Sequence, residues 1–160
     1  MNQVSDYLNI LEESLTKKAA LLQALLEASN RQSELAGEEG FDLDAFEDTM
    51  DQKEALLQQL EELDEGFDSV FQKVEAEVKA NKDSYKDSIQ ALQQWIRKCT
   101  DLGVEIQATE ERNKAKLALK FAEQQREIRE VKTSSKVATT YYKSMSNKHS
   151  EDSYFMDQKK

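Results

Sequence analysis

A chain of 160 residues with net charge −10 and mean hydropathy −0.80 holds one domain, or one domain and a tail, and lacks the apolar content of a thick globular core. Proline is absent and glycine occurs four times, so little interrupts helix, and no stretch alternates β-branched with polar residues as strands do. Such an acidic chain is a poor match to nucleic acid, where phosphate neutralisation supplies most of the affinity.

The first predicted helix runs from about residue 4 to 36. Its seam is Val4, Leu8, Leu11, Leu15, Leu22, Leu25 and Ser29, widened by Ala19 and Leu26. The apolar period is close to 3.5, the spacing of left-handed coiled-coil packing. Ser5 is its candidate cap. Gly37 and Gly40 then bracket a break. A second helix follows over about 44–80, with Phe46, Met50, Leu57, Leu60, Phe67, Phe71, Val74 and Val78 on its seam and Leu56 and Leu63 beside it. Asp44 with Glu47 has the spacing of a capping box. Gly66 keeps the register but is a place where this helix could kink or divide. Asn81 to Asp83 reads as a turn, and Ser84 as the cap of the third helix.

That third helix, about 84–132, organises the chain. Tyr85, Ile89, Leu92, Ile96 and Cys99 recur at steps of four and three, followed by Ile106, Leu117, Phe121, Ile128 and Val131. The stripe has a polar gap at Glu110 and Asn113. Two readings of the gap stand side by side: polar seam residues that set register, or residues turned to water where the seam ends. Charge changes sign near the gap. Residues 1–111 carry 10 Lys+Arg against 26 Asp+Glu, a net of −16, whereas residues 112–136 carry 8 against 3, a net of +5. From about Thr133 periodicity fails, and Tyr141, Tyr142, Met145, Tyr154, Phe155 and Met156 stand singly in a polar background. Residues 133–160 read as a disordered tail in which the aromatics serve as partner anchors or simply mark a loose terminus.

The predicted fold is therefore all-α: a long antiparallel three-helix bundle or coiled coil with a flexible C-terminal tail. At 1.5 Å per residue the first helix spans about 50 Å. Short loops make successive helices antiparallel neighbours, so the third would pass the end of the first near Leu117 and carry Phe121, Ile128 and Val131 beyond the bundle. A bare apolar stripe invites a cover: a fold-back, a homodimer, or another protein's amphipathic helix.

Catalytic chemistry has little to build on. His149 is the only histidine and lies in the tail, so neither a His-based metal site nor a Ser–His or Cys–His nucleophile is expected. Acidic pairs such as Glu38-Glu39, Glu61-Glu62 and Glu110-Glu111 lack the sheltered pocket that an acid–base pair requires. Neither a P-loop nor a GxGxxG pattern is present. No cofactor is expected. The single cysteine, Cys99, lies on the apolar stripe and reads as a core residue of a reducing compartment. No membrane-spanning run and no signal peptide is recognisable, which fits a cytoplasmic chain that does not insert into membranes.

Three stretches resemble the FlgN-type flagellar export chaperones. YLNILEESLTKKAALLQALL, from Tyr7 to Leu26, is similar to the leucine-rich first helix of that family. DLDAFEDTMDQKEALLQQLEELD, from Asp42 to Asp64, resembles its E/K-K-E-x-L-L-x-x-L-x-x-L-D element, with Gln52 at the first position, and VEIQATEERN, from Val104 to Asn113, its segment ending in Asn late in the last long helix. The tail YYKSMSNKHSEDSYFMDQKK looks like family members that end in an aromatic before Asp and Lys. The resemblance implies a bacterial cytoplasmic chaperone that binds the hook–filament junction proteins through an amphipathic terminal helix. It would prevent their premature assembly and deliver them to the flagellar type III export apparatus. The implied partner-binding residues are Asn113, Leu117, Phe121, Ile128, Val131, Tyr141 and Tyr142, with Lys116, Lys120, Arg126 and Arg129 steering an acidic segment into place. The alternatives are a coiled-coil scaffold that homodimerises through residues 112–131, and a chaperone of the filament cap or flagellin.

Overall fold

A computed structural model describes residues 3–123 and 155–156. Three long helices account for almost all of them: α1 (Gln3–Gly37), α2 (Leu43–Ala80) and α3 (Lys86–Glu123), the last entered through a 3₁₀ turn, Lys82–Tyr85. No strand occurs among the described residues. The all-α bundle is as the periodicity requires.

The helices run up, down and up. The start of α1 (Leu8, Leu11, Leu15) packs with the end of α2 (Phe71, Val74, Val78) and the start of α3 (Tyr85, Ile89, Leu92, Ile96). At the other end Leu35 and Ala36 of α1 meet Phe46 of α2 and Leu117 and Phe121 of α3. Between them Leu22, Leu25, Leu57, Leu60, Cys99, Leu102 and Ile106 form a middle layer. α1 is the central helix. Both α2 and α3 pack along it, while their backbones approach each other far less. Cys99 is buried, its Sγ 3.7 Å from the Leu15 carbonyl.

Local signals differ from expectation at the helix ends. The N-cap of α2 is Asp42, whose carboxylate accepts from the Ala45 N–H at 3.0 Å, rather than Asp44. Asp42 is extended, with φ −89° and ψ 96°, the geometry a capping side chain needs. Asp44 already lies in the first turn, where a negative charge suits the helix dipole. Ser84 is not a cap either: its N–H donates to the Asn81 carbonyl within the 3₁₀ turn that leads straight into α3. Ser5 lies inside α1. α2 passes through Gly66 undivided, and a Cβ there would meet nothing within 4 Å. Glycine is the weak residue of that helix without breaking it, because the apolar seam on either side holds the register.

The expected overhang also changes. Phe121 does not leave the bundle bare. Phe41, in the connection between α1 and α2, lies edge-on to it with ring centroids 5.5 Å apart, and Phe46 stands 5.8 Å away. Phe41 and Phe46 are themselves 5.6 Å apart, so three rings close this end. Lys120 Nζ donates to the Glu38 carbonyl at 2.9 Å and ties α3 to the same connection. A length estimate that treats a loop as an empty link misses this cover.

Candidate functional site

The polar gap in the third stripe is a built feature. Glu110 is 9% exposed and Asn113 2% exposed, so neither faces water. Both belong to a hydrogen-bonded network through all three helices. Lys53 of α2 forms an ion pair with Glu110 and donates to Gln32 Oε1 at 3.0 Å. Gln32 Nε2 donates to Thr49 Oγ1 at 3.0 Å, and Thr49 donates in turn to the Phe46 carbonyl. Ser29 Oγ donates to Glu110 at 2.7 Å. Asn113 Nδ2 donates to the Ser29 carbonyl at 2.7 Å, and Ser33 Oγ donates to Asn113 Oδ1 at 2.6 Å.

Heptad arithmetic shows why these residues meet. Phe46, Lys53, Leu60, Phe67 and Val74 are seven apart, so Lys53 occupies a seam position as surely as its leucine neighbours. Ser29 follows Leu8, Leu15 and Leu22 at the same interval, and Gln32 follows Leu11, Lys18 and Leu25. Glu110 and Asn113 continue the four-three steps of Cys99, Gly103 and Ile106. Lys18 makes a second, smaller polar step, paired with Asp64 at 2.9 Å between the first and middle apolar layers.

A buried cation is costly unless an anion and further hydrogen bonds compensate it. Here Lys53 has both. A slip of one heptad between α1 and α2 would set its ammonium against leucine, whereas apolar layers alone would tolerate the slip. The network therefore selects one register, and of the two readings of the gap the buried, register-setting one holds.

The residues expected to bind a partner fall into two groups. Asn113, Leu117 and Phe121 are each 2% exposed, covered by the chain's own α1, α2 and connecting loop. Ile128, Val131, Tyr141 and Tyr142 lie outside the described residues, as do Arg126 and Arg129. Lys116 is exposed on α3. Among the described residues the exposed large apolar side chains are Ile10, Val104 and Leu119. They stand singly, as on most protein surfaces.

Sequence periodicity missed a second feature. Phe155, assigned to the loose tail, is completely buried. Its ring meets Phe71 of α2 edge-on at 5.3 Å, and its backbone carbonyl accepts from Gln93 Nε2 of α3. Met156 packs beside it on the first apolar layer, together with Val4, Tyr7, Val70 and Trp95. For these two positions the expectation of a disordered tail is corrected. Gln93, 6% exposed on the apolar face of α3, was the available signal.

Among the described residues no group of His, Cys, Asp and Glu could hold a metal ion, and no helix is long and apolar enough to cross a membrane.

The model of the family described as FlgN protein matches residues 1–149. The chain belongs to the FlgN family. Family membership makes it a flagellar export chaperone in general terms. No characterised protein and no solved structure gives a significant match to it.

Proposed function

We propose that this FlgN-family chain holds hook–filament junction proteins in the bacterial cytoplasm and presents them to the flagellar type III export apparatus, acting by binding alone and without catalysis. The observation that carries the reading is family membership over residues 1–149. The architecture supports it. An amphipathic helix needs an elongated surface along which to lie, and the bundle offers helices of 35 to 38 residues in register.

The stripe of α3 continues in sequence past Phe121 to Ile128 and Val131, interleaved with Arg126 and Arg129. In this reading Ile128, Val131, Tyr141 and Tyr142 contact the cargo. Leu117 and Phe121 anchor the helix that leads to them, and Asn113 holds that helix in register. The local net of +5 over residues 112–136 steers an acidic cargo segment toward the stripe and sets its association rate more than its affinity.

The test is binding of purified junction proteins to Ile128→Glu and Val131→Glu variants, followed by calorimetry, with circular dichroism as the folding control. Loss of binding with unchanged helicity is expected. Normal binding by both variants would place the cargo site elsewhere. Self-association of the parent chain, abolished by the same variants, would make the stripe a homodimer seam.

A further inference from the structure

Phe155 sits in the first apolar layer, against Phe71 of α2 and Gln93 of α3. The contents of this seat are chemically general. Phe71 offers a ring edge-on, an arrangement open to any incoming aromatic. Gln93 donates to a backbone carbonyl, a group every chain carries. Met156 covers the rim from a partly buried position, and flexible thioethers serve adaptable contacts of this kind. Neither of these two contacts depends on the resident segment being this chain's own. Unlike the aromatic trio at the other end, the occupant arrives from far along the chain: 31 residues separate it from Glu123. Gln93 and Phe121 are 28 positions apart on α3, about 42 Å of helix.

We propose that this seat is a docking site for a partner's amphipathic helix bearing an aromatic residue beside an aliphatic or thioether one, and that Phe155–Met156 occupies it as a built-in competitor. The proposal rests on the chaperone reading above and names a subsite for its cargo. As part of the same chain, the competitor binds intramolecularly, at an effective concentration independent of protein concentration. Only a helix that binds the seat with further contacts along α2 and α3 displaces it. A weak or partial match is rejected.

The experiment uses the full chain, as the parent and as Phe155→Ala, with two probes. One is a fluorescein-labelled peptide of residues 146–160, and the other a purified junction protein. The peptide is expected to bind Phe155→Ala about tenfold more tightly than the parent, in which the tethered copy competes. The junction protein is expected to bind the variant more tightly as well, and to release the peptide. A Gln93→Leu change introduced into Phe155→Ala should weaken the peptide again.

If the peptide binds parent and variant alike, or neither, the seat is not an exchangeable site. Should the junction protein bind both forms equally and leave the peptide in place, the seat is not used by cargo, while the chaperone reading survives. If the junction protein binds neither form although the peptide distinguishes them, the chaperone reading fails and the cargo subsite with it.

Discussion

The two ends of the bundle are closed by aromatic rings in different ways. At one end Phe41, Phe46 and Phe121 come from a short connection and the helices beside it. At the other, Phe71 is covered by Phe155, which belongs to the chain's last residues. The first closure forms as soon as α1 and α2 turn and α3 returns. The second brings together residues far apart in sequence, Phe71 of α2 and Phe155. Similar ring chemistry is supplied locally at one end and from far along the chain at the other.

The largest effect is expected at the locally closed end. Phe46→Ala removes a fully buried ring from the trio and should cost about 3–5 kcal/mol in urea unfolding. Leu117→Glu places a carboxylate in the same layer, and lower helicity together with loss of cooperative unfolding is expected. Its failure to bind cargo would then report folding rather than contact.

The polar network between that end and the middle comes next. Glu110→Leu leaves the buried Lys53 ammonium with Gln32 alone among the contacts described and should cost about 3 kcal/mol. Lys53→Met combined with Glu110→Leu should recover most of that loss, because a buried pair exchanged for apolar residues of similar volume is often neutral or stabilising. A double-mutant cycle by chemical denaturation measures the coupling.

A smaller effect is expected at the end closed by Phe155. Phe155→Ala should lower global stability by less than about 2 kcal/mol, since it forfeits only the docking of the terminal segment. Emission from Trp95, the chain's single tryptophan, should change in the same variant because the indole packs against that apolar layer. A loss as large as that of Phe46→Ala would erase the distinction between the ends. Smallest is Gly66→Ala, expected to stabilise by up to about 1 kcal/mol, since the helix is continuous there and a methyl meets nothing.

How far the chain could be read from its residues follows the same division. Leu8, Leu22, Ile89 and Ile106 announced their helices by spacing, because burial in a long bundle repeats every three or four residues. Lys18, Gln32, Thr49 and Lys53 stand on the same seams, yet residue type alone marks them as exposed. Only counting sevens through Phe46 and Leu60 puts Lys53 inside. Asn113 stands out because it interrupts a stripe, but its partners Ser29 and Ser33 are 84 and 80 positions away, beyond any local pattern. Phe155 belongs to no periodic segment. Its burial depends on a layer built from all three helices, which no single stretch of sequence describes.

The most direct test of the chaperone account is mass in solution, by light scattering, of the full chain alone and after co-expression with the junction proteins of the same organism. The account predicts a small free species that becomes a complex of fixed stoichiometry with one of them. A stable homo-oligomer that ignores every junction protein would contradict it and identify the chain as a self-associating scaffold.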